Sequence, residues 1–365
     1  MKIIRPVLLL DEKKCRDNIR RMAVKARDSC VSFRPHFKTH QSAEIGEWFR
    51  QEGIEKITVS SVAMAEYFAN SGWRDILIAF PVNILEAEGI SRLAQKTDLG
   101  LLFESEETVR FMDANLTSDT AAWIKIDTGY QRTGISWDNR AQISSTVEKI
   151  KASSWLKFKG FIAHSGHTYQ AQNTAEIIRI YNDTLEKLLQ LKKQFSHPGF
   201  SPLISVGDTP SCSAVNDFKG ADEIRPGNFV FCDVMQFELG SSNINEIAVA
   251  LACPVVSVHA DRKEFVIYGG AIHLSKEFLT YSGGKRYYGR VVKLLKEGWT
   301  EPLPGTFVKS LSQEHGVIRT TRDLMAEIRI GDVIGILPVH SCLTAHQMNN
   351  YFTLDGKFIG MMEKN

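Results

Sequence analysis

The chain has 365 residues, 43% of them hydrophobic and 24% charged, with a formal net charge of +2 at pH 7. This is ordinary globular composition with length enough for two domains. A near-neutral balance without a long basic run argues against a nucleic acid or other polyanionic partner.

The apolar run Val7–Leu10 is too short for a signal peptide or a membrane span, so a cytoplasmic protein without membrane attachment is expected. The six cysteines, Cys15, Cys30, Cys212, Cys232, Cys253 and Cys342, form no Cys-x-x-Cys pair. Apart from Cys342, most of them predict small buried side chains, and no disulfide framework is expected.

Val7–Leu10 reads as a strand, and Asp11 caps a helix running to about Asp28, with Cys15, Ile19, Met22 and Val24 roughly on one face. The next strand is expected over 32–38, and Ser42 caps a helix carrying Ile45, Trp48 and Phe49. Strands then follow over 56–60, 75–79, 99–103, 122–127, 158–163 and 203–206, with a short last one beginning at Glu223. Helices are expected over 62–69, 84–94, 106–115, 139–152 and 171–194. About eight β/α repeats in roughly 220 residues predict a (β/α)8 TIM-type barrel. An open doubly wound sheet would carry a Gly-x-Gly-x-x-Gly turn after its first strand, and none is present.

From about Asn245 the pattern changes to strands joined by Gly- and Pro-containing turns, over 248–259, 264–268, 305–309, 316–319, 331–337 and 350–353. The fold class expected is therefore α/β: a barrel over 11–240 and a second, C-terminal β-rich domain over 241–365 joined by strand 1–10.

Chemistry in such a barrel belongs at the carboxyl ends of the strands. The stretch Arg34-Pro35-His36-Phe37-Lys38-Thr39-His40 puts four basic or imidazole groups on even positions, which share one face of an extended chain. Like charge and partial burial there would lower the Lys38 pKa and make its amine a nucleophile able to form a Schiff base. A solvated basic edge strand fits the same residues.

Asp127-Thr128-Gly129 closes a strand with Arg132 in the loop behind it, an oxyanion holder or an exposed turn arginine. His164, His167 and Tyr169 cluster at another strand end, where a satisfied core histidine is the plainer reading. Ser205-Val206-Gly207-Asp208-Thr209-Pro210-Ser211 is either a phosphate-binding loop using backbone N–H groups and hydroxyls or simple turn chemistry, and Glu223-Ile224-Arg225-Pro226-Gly227-Asn228-Phe229 is either a close backbone approach to a ligand or an ordinary turn. In the β-rich part, His340 and Cys342 stand two apart after an apolar strand and share a face if that segment is extended. Imidazole and thiolate suit Zn²⁺, against the alternative of a free buried thiol beside a histidine.

Taken together, these motifs resemble the fold-type III pyridoxal-phosphate enzymes, and within them the D-serine dehydratase/D-threonine aldolase family, over nearly the whole chain. The resemblance implies that Lys38 carries pyridoxal 5'-phosphate through its amine, that His164 stacks on the ring and that Arg132 lies near its phenolic oxygen. Arg225 stands where the related alanine racemases face the pyridine nitrogen. Gly207, Thr209, Gly227 and Asn228 match phosphate holders, Tyr169 an active-site tyrosine, and His340 and Cys342 the ligands of Zn²⁺ or another divalent metal.

No tyrosine stands in a recognisable motif for the second base that a racemase needs. The activity implied is a lyase for small D-β-hydroxy amino acids, with D-serine dehydration to pyruvate and ammonia expected first. Lys38 takes the Cα proton while the metal assists departure of the β-hydroxyl. The alternative is D-threonine aldolase chemistry, followed by an amino acid racemase or a non-catalytic pyridoxal-phosphate carrier. A homodimer is expected by resemblance.

Overall fold

The computed structural model describes residues 2–281 and 284–363. Contacts divide the chain into two compact units, one of Arg20–Lys38 with Gly46–Gly227, the other of Met1–Ile19, Thr39–Ile45 and Asn228–Asn365. The long helix Glu12–Asp28 is shared between them, and the division after Gly227 falls earlier than residue 240.

The first unit is built on parallel strands in the spatial order Ser32–Phe33, Glu223–Ile224, Leu203–Val206, Leu156–Ile162, Thr120–Asp127, Asp98–Phe103, Asp75–Pro81, Lys56–Val59. The two ends of this order meet. Phe37 N–H donates to the Thr58 carbonyl at 2.8 Å, Thr58 N–H donates to the Pro35 carbonyl at 2.9 Å, and His36 bridges Thr58 in parallel. The result is a nearly closed (β/α)8 barrel.

Most helices begin where an N-cap side chain satisfies a free backbone N–H: Ser61, Ser105, Asn139, Asn173 and Asp208 each do this. Gly160, at φ +156°, lets two strands approach, since a Cβ there would meet the Leu203 carbonyl oxygen at 2.0 Å.

The second unit is mainly antiparallel. Its sheet runs Glu264–Tyr268, His315–Arg319, Phe307–Leu311, Gly289–Val292, Val333–Pro338, Val249–His259, Val7–Leu10, Asn350–Thr353, Phe358–Gly360. Val249–His259 also pairs with Glu264–Tyr268, which closes the first six of these into a ring. Val7–Leu10 pairs with Val249–Ala252 on one side and with Phe352 and Thr353 on the other, so it belongs to this sheet and not to the barrel.

Two expectations change. The stretch 32–38 is a strand only at Ser32–Phe33, followed by the single bridge at His36 and a turn at Lys38. The segment holding His340 and Cys342 is not extended: His340 stands at the N-cap position of the helix Ser341–Met348, without a side-chain capping bond, and Cys342 lies in its first turn.

Candidate active site

In the barrel unit, Lys38 is presented by its neighbour. Phe37 is fully buried, with ring centroids 4.9 Å from Phe49, 4.9 Å from Phe68 and 5.1 Å from Trp73. Burying such a ring is worth ~1.5–3 kcal/mol, and each aromatic pair adds ~0.5–1.5. The turn is thereby pinned while Lys38 itself stays exposed, so the partial burial expected of it is absent. The even positions also part company. Arg34 is buried against Glu223 and Asp75, and His40 belongs to the other unit, where its Nδ1 accepts from Ser42 N–H at 3.1 Å. The lysine is not sandwiched between imidazoles, because the chain turns at Lys38.

His36 and His164 remain beside it electrostatically. Desolvation, then the positive charges of Lys38 and Arg225, holds His36 well below the usual imidazole range. Desolvation also holds His164 low, reinforced by Lys125, Lys38 and Arg132, while its Nδ1 lies 2.7 Å from the Gly207 carbonyl. Burial, then Arg225 and Arg132, brings Lys125 down to about 7. Arg132 is exposed, with its guanidinium carbon 5.1 Å from the Tyr130 ring centre. Tyr130 also meets His164 edge-on at 6.0 Å and stacks on His167 at 6.2 Å. Tyr169 is half-buried on the 3-10 turn Gly166–Gln170.

The turns after Val206 and Ile224 are pressed together. A Cβ on Gly207 would lie 2.7 Å from the Arg225 backbone nitrogen. Asp208 caps Thr209–Ala214 by accepting from Ser211 N–H at 2.7 Å, and it also accepts from the Thr168 hydroxyl at 2.8 Å. Gly227 N–H reaches the Thr209 hydroxyl at 3.3 Å. The Ser211 hydroxyl is buried with no hydrogen-bond partner among the described residues. An unspent buried hydroxyl beside a tight glycine turn fits a phosphate group.

The β-rich unit carries the second cluster. His340 Nδ1 lies 3.2 Å from Asp233 Oδ2, and the Cys342 sulfur shares a hydrogen bond with the Thr39 hydroxyl at 3.2 Å. Thr39 directly follows Lys38 in sequence. Asn228 Nδ2 spans Asp233 at 2.6 Å and Cys342 Sγ at 3.5 Å, and Ser341 N–H donates to Asp233 at 3.0 Å. Despite desolvation, Cys342 and Asp233 raise the His340 pKa well above its usual value. Negative charge gathered on an imidazole–thiolate pair fits a divalent cation. Among the described residues no third His, Cys, Asp or Glu completes a ligating group.

Two tyrosines of this unit are otherwise engaged: Tyr351 donates to the His40 carbonyl at 2.8 Å and Tyr287 to Glu238 at 3.0 Å. Sequence reading placed Ser211 within the hydroxyl-bearing loop 205–211 and gave no role to Asp233, Tyr130 or Lys125. The last two stand inside the 125–134 stretch, but Asp233 looks like any helix cap.

Two known domains match the chain: the alanine racemase N-terminal domain over 10–234 and a putative serine dehydratase domain over 248–354. A D-serine dehydratase of Dictyostelium discoideum is 26% identical over 390 residues, covering 99% of this chain and 96% of that one. A D-threo-3-hydroxyaspartate dehydratase of Delftia sp. (strain HT23) is 26% identical over 362 residues, covering 96% and 93%. Its solved structure superimposes with a TM-score of 0.90 at 24% identity over 99% of this chain and 98% of that one. One variant of that enzyme, with a cysteine replaced by alanine, is described as metal-free. D-threonine aldolase from Filomicrobium marinum shares the fold at a TM-score of 0.82 and 20% identity, over 98% of this chain and 94% of that one. The chain belongs to the alanine racemase N-terminal-domain family, in its branch of fold-type III pyridoxal-phosphate enzymes that carry a serine dehydratase domain behind the barrel.

Proposed function

We propose that this protein is a pyridoxal-phosphate- and divalent-metal-dependent lyase that dehydrates small D-β-hydroxy amino acids, D-serine first, to a 2-oxo acid and ammonia. The observation that carries the reading is the soft donor pair His340 and Cys342, set against Asp233 in a chain that matches a D-serine dehydratase along its full length. Zinc is the metal these donors suit best.

Pyridoxal phosphate, when bound, supplies the electron sink that makes the Cα–H bond breakable. A divalent metal on His340 and Cys342 supplies a Lewis acid for the β-oxygen. Lys38 would hold the cofactor through its amine, and the same amine, when free, would serve as the base for the Cα proton. His164, kept neutral, offers a flat face to the ring. Thr209, Ser211 and the backbone at Gly207, Gly227 and Asn228 take the phosphate. Arg132 stands for the phenolic oxygen, and Tyr169 for the substrate. Arg225 would hold the ring-nitrogen side of the cofactor with a guanidinium that does not readily give up its proton, so the cofactor would supply a weaker electron sink there.

Pyruvate release from D-serine, abolished by a chelator while the cofactor stays bound, is the expected result. Equal turnover of D- and L-serine would return the racemase reading. Glycine and acetaldehyde from D-threonine as the main products would replace dehydration by aldol cleavage. The match to the hydroxyaspartate dehydratase favours a second substrate, D-threo-3-hydroxyaspartate, to be assayed beside D-serine. A homodimer acting in the cytoplasm completes the reading, and light scattering tests the dimer.

A further inference from the structure

Beneath the barrel cluster lies a buried polar chain of which the proposed chemistry uses only Arg225. Arg34, Ser205, Glu223 and Arg225 are 7%, 0%, 4% and 5% exposed. Arg225 Nε donates to the Ser205 hydroxyl oxygen at 2.8 Å, and its Nη2 donates to the Ala163 carbonyl at 2.6 Å. The Ser205 hydroxyl donates onward to Glu223 Oε1 at 2.7 Å. Arg34 Nε donates to Glu223 Oε2 at 2.7 Å, and its Nη1 reaches Asp75 at 2.5 Å.

Two guanidinium groups thus share one buried carboxylate, one directly and one through a hydroxyl. The direction of each bond is forced. A guanidinium only donates, so Ser205 must accept from Arg225 and spend its own proton on Glu223. Both Glu223 oxygens therefore accept, one from Ser205 and one from Arg34. Arg34, with Asp75 behind it, supplies the opposite charge.

We propose that Glu223 and Ser205 are positioning residues that fix the plane and the positive charge of Arg225, with Arg34 holding Glu223 in its acceptor form. The two bonds at Nε and Nη2 set how the rest of the guanidinium fork is presented at the carboxyl end of the barrel. Removing the carboxylate leaves a buried cation without its nearest counter-charge. The charged and titratable groups that face Arg225 are Glu223 on its own strand, Arg34 and His36 from the first strand and its turn, Lys125 from Thr120–Asp127, and Asp208 and Cys212 from the turn and helix after Val206. Burial draws Arg225 down to about 10, and Glu223 is the strongest group opposing that.

The claim that Arg225 then serves a pyridine nitrogen rests on the proposed function; the anchoring of Arg225 does not. The test therefore has two arms. In cofactor-free full-length protein, the Arg225 Nε–H NMR resonance, assigned by its loss in Arg225→Lys, is expected to exchange slowly. Ser205→Ala and Glu223→Gln should each speed that exchange at least about tenfold. In protein loaded with pyridoxal phosphate, Glu223→Gln should move the alkaline change in cofactor absorbance down by about one pH unit or more, and Glu223→Asp should restore part of the shift.

Exchange and absorbance profiles that match the native protein in folded Glu223→Gln overturn the inference, even if its melting temperature falls. If Glu223→Gln does not fold, Ser205→Ala decides by the same exchange measurement. A pyridoxyl label found away from Lys38 defeats the cofactor reading, and the arginine resonance then judges this inference alone.

Discussion

Two histidine clusters, one in each unit, carry opposite charge habits. His36 and His164 at the barrel end are held neutral by desolvation and by Lys38, Lys125, Arg132 and Arg225 around them. His340 in the β-rich unit is drawn towards its charged form by Cys342 and Asp233. The residue type is the same, so company decides. At an effective dielectric near 20, one unit charge at 4 Å is worth ~4 kcal/mol, several times an ordinary imidazole's pKa margin. The lesson concerns ligands. A cluster with surplus positive charge and an unspent hydroxyl suits an anion such as a phosphate. A cluster with surplus negative charge on soft donors suits a metal ion, whose place a proton on His340 takes when no metal competes.

The largest break in this comparison comes from removing the centre of each cluster. Lys38→Ala should cost roughly 10²- to 10⁴-fold in turnover, with exogenous amine restoring part of it. Borohydride reduction and peptide mapping of the native protein should find the pyridoxyl group on Lys38. A label elsewhere removes the barrel half of the argument. Cys342→Ala should lose metal affinity by more than about 100-fold and turnover with it, while the cofactor label on Lys38 persists. Full activity in chelator, with a Cys342→Ala protein that is merely less stable, would mean a structural thiol and no metal chemistry.

A milder break sharpens the second cluster. Asp233 is fully buried and receives Asn228, Ser341 and Gln236 as donors while facing His340. Asp233→Asn keeps the shape and removes the charge. Metal affinity should fall about 10- to 100-fold, as it does when the carboxylate behind a ligating histidine is lost. Metal content after dialysis against graded chelator measures this, and affinity equal to the native protein's would show that Asp233 only caps its helix.

Much of this was legible in the residues themselves. The alternation of apolar runs with capped helices announced the barrel, whereas roles for Lys38, Arg132, His164, Arg225, His340 and Cys342 came from the resemblance, since each motif alone also fitted a solvated strand, a turn, a satisfied histidine or a buried thiol. What stayed hidden depends on pairing across sequence. Arg34 reads as one of four basic groups on a strand face, but it turns inward because Glu223, 189 positions away, accepts from it. Asp233 carries no local signal for a partner 107 positions on, 340 − 233 = 107. The helix Ser341–Met348 was missed because an apolar strand and a His-x-Cys spacing suggest continued extension, whereas the backbone turns helical straight after His340.

The smallest effect expected is also the one most specific to the barrel cluster. Lys125 is buried among Arg225, Arg132 and His164 and titrates near 7 in the folded chain, against 10.5 for a free lysine. Between these values the unfolded chain binds a proton that the folded chain does not. Stability attributable to Lys125 therefore rises with pH across 7 to 10.5, by at most ~1.4 kcal/mol per unit. Below 7 both states carry the proton, and the penalty of a buried ammonium is present in full. Lys125→Met removes the titrating group and keeps the bulk. Denaturant unfolding of cofactor-free protein in phosphate-free buffers at pH 6.5, 8 and 9.5 should find the variant more stable than the native chain at the lowest pH, with its advantage shrinking as pH rises. An advantage that does not change with pH would mean that Lys125 keeps its proton throughout, and that the barrel end tolerates one more cation than its neutral histidines imply.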